Sequence, residues 1–512
     1  MRISRRSFIK AATVASAAGA AGVLSSQLAY GWGEVTDTTV LGPIPTGGYK
    51  ILEIFLYGGV SPWETFYVRT GIADPFFGLD TQVGDLDWSG SCTGVPSPAG
   101  QTSAFATDSL GPVAWGPSTK PLWSRSDIFS RARMVVLQHN LEPHEAAIPY
   151  SLTGHVLGRP NFSGLGAAVS HRFANSGHPL PYSYVLMPDG GATVGDNFHG
   201  MISTGTHGGE HRPLLLMVGP TSGSLGTQLQ RNGISSPAND LLRFFRASYA
   251  DKLRTNGVVA RSKGYSAYTA GVDNLLNAPA LSILLSSANL APANATGCAS
   301  FLPAVPLTAL DRTSAAIRAG AFLLSTAEAS GGARYVGVID GGLMQAGGAG
   351  YDTHGGNTLT TGVNIWNVCS TLADVIDNSS TPAAGKISLN DTLVVIKTEF
   401  GRTPAPNGGG GRDHWPHGYV NILIGGPITS RGIAGAIGFD TTERGHARPV
   451  TLTPTLELGH FTPSEFQGAL MLAAGIFPFQ PENFGIGDMS VATRDATENL
   501  TATQLRSRVL GV

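Results

Sequence analysis

The stretch TLVVIKTEFGRTPAPNGGGGRDHWPHG, residues 392–418, decides the fold and contains the densest group of reactive side chains. It opens with an apolar run bounded by turn residues, a pattern typical of a buried parallel strand. Such a strand brings Glu399 and Arg402 to its carboxyl end, where open α/β sheets place their ligands. Four consecutive glycines follow, and Asp413 and His414 come before the next apolar run. The group predicts a functional site, although an ion-paired surface loop is the alternative for any single residue.

A second strand-to-helix junction upstream has the same construction. The run RYVGVID ends a predicted strand, and YDTHGG then precedes a helical pattern. Asp352 and His354 are therefore expected at or just before a helix amino terminus. Carboxylate oxygen and imidazole nitrogen are usual ligands of a hard or borderline divalent cation. Alternatively Asp352 only caps the helix, which would leave His354 unexplained.

Length and composition favour one large α/β domain. With 512 residues, 42% of them hydrophobic, the chain can bury a large core. Strand and helix patterns alternate from Lys50 to Ile476, and 68 glycines with 32 prolines indicate long irregular loops. The formal net charge is −2 and no basic run follows the first ten residues. Nucleic acid is therefore not expected as a partner.

The amino terminus has the features of an export signal. The run SRRSFIK precedes a short apolar stretch rich in alanine and glycine. Paired Arg5 and Arg6 followed by Phe8 predict a twin-arginine signal in residues 1–30, with the twin-arginine translocase as partner during export to the periplasm or the medium. The stretch is too short for a comfortable membrane span, so no stable span is expected after cleavage. Retention as an anchor stays open because no clean A-x-A cleavage site is present.

The rest of the chain predicts the elements around the two clusters. A helical pattern after the predicted strand at residues 134–140 stops at Gly154, a C-cap signal. The closing helix opens with a capping box formed by Thr462 and Glu465. Residues 70–125 are predicted as a surface segment with little regular structure, and residues 240–326 as an inserted helical layer or cap.

Two further residue types give weaker signals. His199, His207 and His211 lie in one loop, where they could bind a metal but lack ligand-like regularity. The cysteines allow at most one disulfide and form no zinc motif. Cys369 falls inside a helical pattern and is predicted to be core.

Five segments together resemble a known family: LYGGVSPWETF, HEAAIPYSLTGHVLGRPNF, YDTHGG, VVIKTEFGRTP and GRDHWPHGYVNILIGG. In this order they resemble domain of unknown function 1501, a twin-arginine-exported branch of the alkaline phosphatase and sulfatase superfamily, over about residues 50–478. The resemblance implies an alkaline phosphatase-like α/β fold, a doubly wound and mostly parallel sheet flanked by helices. One such domain would span residues 48–512, with insertions at about 70–125 and 240–326. It also implies one or two divalent metals at the strand ends and hydrolysis of phosphate or sulfate esters.

The chain departs from that superfamily where its Ser, Thr or Cys nucleophile belongs. The nucleophile stands ten residues before the glycine of an L-T-G motif, and counting back from Gly154 reaches His144. An imidazole there is more simply a metal ligand or a general acid/base than a phosphohistidine nucleophile. The first-strand aspartates are also missing, since Gly58 and Gly59 occupy the strand end, and Glu64 is the nearest carboxylate.

The first hypothesis is therefore a periplasmic or secreted metal-dependent hydrolase of a small-molecule or glycan phosphate or sulfate ester. His144 would supply acid/base or nucleophilic chemistry, Arg402 would bind substrate oxyanions, and Glu64 would be a catalytic or reserve ligand. The divalent ion, which is zinc, manganese, calcium or magnesium, would be bound by Asp352, His354, Glu399, Asp413 and His414.

Two rival hypotheses remain. The absent hydroxyl or thiol nucleophile favours a non-catalytic binding or assembly protein that keeps the fold. Oxidoreductase chemistry with a redox metal ranks last, because nothing in the chain supports haem, flavin or iron–sulfur binding. On the hydrolase hypothesis the ligand atoms should lie within roughly 8 Å of one another. His144 should be a neutral ring, since a helix amino terminus disfavours imidazolium.

Overall fold

The computed structural model describes residues 45, 48–69, 102–155, 164–175, 184–188, 213–216, 236–255, 276, 281–283, 285–290, 312–327, 332–342, 350–439, 445–453, 456–458, 460–478 and 499–512. Several predictions concern residues outside this part of the chain: the export signal with Arg5 and Arg6, the loop with His199, His207 and His211, and the cysteines Cys92 and Cys298.

An eight-stranded sheet forms the centre of the described structure. The strands of the chain are β1 Lys50–Leu56, β2 Ser103–Asp108, β3 Gly111–Trp115, β4 Ala132–Leu137, β5 Tyr184–Pro188, β6 Leu214–Leu215, β7 Tyr335–Asp340, β8 Thr392–Lys397, β9 Gly401–Arg402, β10 His414–Trp415, β11 Tyr419–Gly425, β12 Gly432–Ala434, β13 Val450–Thr453 and β14 Leu456–Leu458. The order across the large sheet is β12-β4-β11-β8-β1-β7-β5-β6. Only β11 runs antiparallel to its two neighbours there. The other six strands form two-stranded ribbons, β2 with β3, β9 with β10, and β13 with β14.

Helices cover both faces of this sheet. The described α-helices of the chain are α1 Lys120–Trp123, α2 Ser126–Phe129, α3 His144–Thr153, α4 Leu165–Asn175, α5 Ser236–Thr255, α6 Ser287–Leu290, α7 Arg312–Ser325, α8 Asn357–Val375, α9 Pro463–Ala473 and α10 Asn499–Leu505. One face packs against α7 and α8, and the other against α4 and α9. The described structure is therefore α/β, with a large and mostly parallel sheet flanked by helices, as the sequence predicted. None of the described helices is long and apolar enough to cross a membrane.

The apolar run of β1 shows why a strand in this position is hydrophobic at almost every residue. Leu52 and Ile54 pack into the core under α7 and α8, whereas Ile51 and Phe55 pack into the core on the other face. All four are essentially inaccessible to solvent. Because both faces of the sheet are covered, alternation between apolar and polar residues is not needed.

The local predictions for two helix ends are confirmed. Gly154 ends α3 in the left-handed conformation, with φ 74°. Thr462 caps α9, and its side chain and that of Glu465 form the reciprocal capping box. Cys369 is free and fully buried within α8, as predicted.

One prediction about the insertions is wrong in the described residues, and for the other the structure decides between two alternatives. Residues 102–125 are not an irregular surface segment, because they form the β2–β3 hairpin and α1, and Trp115 and Leu122 are completely buried in the core. Residues 240–326 were predicted as a helical layer or a cap, and helix α7 belongs to a layer, because it packs directly on β7 and β1. A strongly helical sequence between two strands is equally typical of a crossover helix.

Candidate metal centre

The site lies at the carboxyl edge of the sheet, where four chain segments meet. Strands β1, β7 and β8 are adjacent and parallel, so the residues that follow them reach the same edge. Glu399 comes two residues after β8, and Asp352 lies in the segment between β7 and α8. His144 is the first residue of α3, and His414 begins the two-residue strand β10. Five predicted ligands, Asp352, His354, Glu399, Asp413 and His414, thus come to one end of the sheet.

Three side chains form the centre of this site. The potential ligand atoms of His144, Asp352 and His414 all lie within 4.8 Å of one another. The Oδ1 atom of Asp352 is 3.6 Å from His144 Nε2 and 3.5 Å from His414 Nε2. Both Nε2 atoms are buried and have no hydrogen-bond partner among the described residues. Two imidazole nitrogens and a carboxylate that face one point are a set that could hold a metal ion.

The opposite nitrogen of each ring is fixed by an oxygen. His144 Nδ1 is 2.9 Å from Glu399 Oε1, and His414 Nδ1 is 3.0 Å from the carbonyl oxygen of Glu142. A carbonyl only accepts hydrogen bonds, so His414 donates from Nδ1 and, when neutral, carries its lone pair on Nε2. Metal-binding histidines have this arrangement almost always. The donor set therefore fits a divalent ion.

A third imidazole lies at the rim. His354 Nε2 is 3.1 Å from Asp352 Oδ1, and its Nδ1 is 3.0 Å from Asp413 Oδ1. The side chains of His354 and Asp413 are 46% and 59% exposed, far more than those of the central three. Hydrogen bonding to His354 is the main cause that lowers the pKa of Asp413. Asp413, predicted as a ligand, instead holds the ring of His354, which places His354 beside the central group.

Asp352 is kept ionised by the groups around it. Burial alone would raise the pKa of its carboxyl group, but the close rings of His144 and His414 and the hydrogen bond and charge of Arg402 hold it far below the usual range. The interpretation of Asp352 as a helix cap is wrong. Helix α8 starts after Gly356, which is its N-cap, and no side chain caps it.

Glu399 was predicted as a ligand and the structure gives it another role. Its side chain is completely buried, and both oxygens already accept hydrogen bonds. Oε1 accepts from Gly58 N at 2.7 Å and contacts His144, while Oε2 accepts from Thr398 Oγ1 at 3.0 Å. Glu399 therefore orients His144 and does not face the central point.

Arg402 was predicted to bind a substrate oxyanion, but its guanidinium group is bonded within the protein. Its guanidinium is fully buried, and it donates to the carbonyl oxygens of Gly58, Gly59 and Arg412 and, at 2.5 Å, to Asp352 Oδ1. These acceptors occupy the planar fork that a substrate would need. The residue instead fixes Asp352 and joins the turn after β1 to the β9–β10 ribbon.

Glu64 is not a catalytic group or reserve ligand of this site. Its buried carboxylate accepts from Arg412 Nε at 2.7 Å and from Asn357 Nδ2 at 3.2 Å, and the hydroxyl of Ser61 donates to its other oxygen. Arg412 was not predicted as a site residue, although it stands beside Asp413. Its neighbours in sequence gave no signal, because its partner Glu64 is 348 positions away.

The expectation of a neutral His144 is also wrong for the metal-free protein. Burial lowers the pKa of this ring, but the close contacts with the carboxylates of Asp352 and Glu399 and their charges outweigh it and raise the pKa to about 9. The helix amino terminus is a weaker influence than two carboxylates in contact. A bound cation would have to displace this proton.

Aromatic side chains enclose the rings, another feature that the sequence analysis did not single out. The ring centroid of Phe400 is 4.5 Å from that of His414 and 5.0 Å from that of His144. Tyr57 stacks on His144 at 5.7 Å. Phe400 was visible in the motif EFGRTP, but only the fold shows that it is packed against the histidines.

The comparison with known families agrees with the resemblance seen in the sequence. The model of a family described as a protein of unknown function, DUF1501, matches residues 131–452. This is more than half of the chain, so the protein belongs to that family. The match includes all of the central residues, His144, Asp352 and His414. Neither the curated proteins nor the solved structures contain a significant match.

Proposed function

We propose that the protein is an exported, divalent-metal-dependent hydrolase of a phosphate or sulfate ester, with an alkaline phosphatase-like fold. The observation that carries the proposal is the pair of unpartnered Nε2 atoms of His144 and His414 aimed at the Asp352 carboxylate. Zinc or manganese fits a set of two imidazoles and one carboxylate better than calcium or magnesium, which prefer oxygen ligands.

The chain's own residues would act by holding the ion and fixing protons. His144, Asp352 and His414 would bind it, with His354 close enough to join. Glu399 would hold the proton of His144 Nδ1, and Arg402 would keep the Asp352 carboxylate ionised and in place. The bound ion would supply Lewis-acid chemistry to a substrate oxygen and to a nucleophilic water. In this assignment His144 would be a ligand, and the water would replace the missing hydroxyl or thiol nucleophile.

The decisive experiment combines metal analysis with an activity screen. Protein purified from the exported fraction should contain a divalent metal at close to one equivalent and should hydrolyse a member of a panel of aryl phosphate and sulfate esters. A chelator should abolish turnover, and Zn²⁺ or Mn²⁺ should restore it. His414→Gln should lose both metal and turnover, whereas the matched control His446→Gln should keep both, since the ring contacts of His446 are with Trp415 and His417.

A second candidate is a metal-holding binding or assembly protein without turnover. The burial of Arg402 favours it, because the cation expected to bind a substrate oxyanion is bonded to backbone carbonyls. Stoichiometric metal, lost in His414→Gln, together with no hydrolysis of any ester on the panel would support this candidate over the hydrolase. Absence of metal binding would contradict both.

Export by the twin-arginine translocase is part of the same proposal. It rests on Arg5, Arg6 and Phe8 ahead of the apolar stretch. Replacement of both arginines by lysine should leave the precursor in the cytoplasm, because the export receptor recognises the paired guanidinium groups and not charge alone. Cell fractionation would measure this, and unchanged export of the double variant would show that another route is used.

A further inference from the structure

The side chain of Arg412 is buried beneath the site and joins two loops. Its Nε donates to Glu64 Oε1 at 2.7 Å, and its Nη1 donates to the carbonyl oxygens of Thr403, at 2.7 Å, and Pro404. Arg412 and Glu64 are 0% and 1% exposed. An arginine is rarely buried to this extent unless it is paired, so the ion pair is a built feature of the fold.

The main chain of Arg412 joins the same region to a third segment. Its N–H donates to the carbonyl oxygen of Thr353 at 3.0 Å, and its own carbonyl accepts from Arg402 Nη1 at 3.0 Å. Thr353 lies between Asp352 and His354 in the sequence. Arg412 is thus bonded directly to the residue between the two groups that the upstream segment contributes to the site.

The glycine-rich loop packs tightly against the segment that contains Thr353. A Cβ on Gly411 would lie 2.0 Å from the carbonyl carbon of His354. Asn407 Nδ2 donates to the same His354 carbonyl at 3.0 Å, and Asn357 N donates to Gly410 O at 3.1 Å. The close approach explains why glycine is required at residue 411. The glycine-rich loop and the segment 353–357 are therefore packed against each other and joined by hydrogen bonds.

We propose that Arg412, held by Glu64, is a positioning residue of the metal centre. It fixes the segment that carries Asp413 and His414 against the segment that carries Asp352 and His354, and so sets the distance between the ligands that these two segments contribute. Asn357 supports it from the amino end of α8 by donating to the same Glu64 oxygen. This inference rests on the proposed metal centre, and it explains why a buried carboxylate next to the site serves an arginine and not the ion.

Cobalt(II) is a suitable probe, because its visible spectrum reports the geometry of its ligands as well as its binding. Wild-type protein, stripped of metal, would be titrated with Co²⁺, and so would Glu64→Gln and Arg412→Lys. Glu64→Gln keeps an acceptor for Arg412 and is the milder of the two changes. Both variants should bind Co²⁺ about 10- to 100-fold more weakly, the range typical of groups that orient ligands, with an altered visible spectrum.

The matched control is Asp108→Asn, which breaks another buried ion pair, that of Asp108 with Arg69. It should lower the melting temperature to a similar extent as Glu64→Gln while the Co²⁺ affinity and spectrum stay at wild-type values. A folded Glu64→Gln protein with the wild-type affinity and spectrum would overturn the inference, and so would an equal loss of affinity in Asp108→Asn. A wild-type protein that binds no Co²⁺, Zn²⁺ or Mn²⁺ would instead overturn the metal centre itself.

Discussion

Two groups of histidines lie close to the short strand β10, and they differ in what surrounds them. His144, His354 and His414 converge on the carboxylate of Asp352. His417 and His446 stack face to face at 4.9 Å with an angle of 18° between their planes, and both contact the ring of Trp415 edge-on. We call the first group the converging cluster and the second, with Trp415, the stacked cluster.

The difference shows how the same residue type serves two purposes. In the converging cluster, carboxylates raise the pKa of His144 to about 9, so the ring attracts a proton or another cation. In the stacked cluster, burial and then the charge of His446 lower the pKa of His417, so that ring stays neutral and packs as an aromatic. Imidazoles with a shared carboxylate form a cation site, and imidazoles without one form part of the packing.

Removal of the shared carboxylate, that of Asp352, should have the largest effect, because it removes the feature that separates the converging cluster from the stacked cluster. Asp352→Asn should weaken Zn²⁺ binding more than about 100-fold, since it replaces a charged ligand by a neutral one and leaves Arg402 buried without its anion. Isothermal titration calorimetry on metal-free protein would measure the affinity. An Asp352→Asn protein that binds Zn²⁺ as tightly as the wild type would show that the ion, if present, sits elsewhere.

A fall in pH should destabilise the folded protein through His139, whose ring lies near the stacked cluster. Burial lowers the pKa of His139 to about 4, and the charges of His417 and His460 act in the same direction. A folded-state pKa below the unfolded value of about 6.5 means that the contribution to stability is present above pH 6.5 and is lost as the pH falls towards 4. The loss should reach about 3 kcal/mol.

Urea unfolding between pH 7 and pH 4 would test this expectation. His139→Gln removes the titrating ring and should show a flatter fall of the unfolding free energy with decreasing pH. Equal slopes for the variant and the wild type would mean that His139 is not held neutral in the folded protein.

A smaller loss should follow from removing the charge that orients His144. Glu399→Gln keeps an acceptor for Gly58 N–H but removes the negative charge beside His144 Nδ1. Zn²⁺ affinity should fall about 10- to 100-fold, as is usual when the partner of a ligating histidine is replaced. The pKa of His144, followed by NMR in the metal-free protein, should fall below that of the wild type. A variant with unchanged affinity and an unchanged His144 titration would remove Glu399 from this role.

The sequence predicted the main strands and the helix ends because their signals are local. The apolar runs of β1, β4, β7 and β8, the glycine after α3 and the capping box of α9 each depend on residues close together in the chain. The prediction of little regular structure was wrong at residues 102–125, because the structure there depends on packing against the sheet. For residues 312–325 the sequence predicted a helix but left open whether it forms a layer or a cap. Local propensity cannot separate a crossover helix from an inserted one.

The residues of the site were more predictable from the sequence than their roles. Asp352 and His414 stand out because they follow predicted strands and have the chemistry of ligands. The partners are not visible in this way: Glu399 contacts His144 across 255 positions, and Glu64 contacts Arg412 across 348. Whether a carboxylate faces an ion or holds another side chain depends on these distant contacts, and one sequence contains no local pattern for them.

The smallest effect should come from a change in the stacked cluster, which tests whether that cluster is independent of the cation site. His446→Gln removes one of two stacked rings and an edge-on contact with Trp415, which should cost about 1 kcal/mol of unfolding free energy. Zn²⁺ affinity should not change, because within the described part of the chain the ring of His446 contacts Trp415 and His417 and not the three central residues of the site. The pKa of His417 should rise, since the charge of His446 is one of the two causes that lower it, but burial should keep it below the ordinary value. Chemical denaturation, calorimetry and NMR titration of this one variant would measure all three quantities. A loss of Zn²⁺ affinity comparable with that of Glu399→Gln would show that the two clusters are coupled through β10, and the division between a cation site and a packed aromatic group would then be wrong.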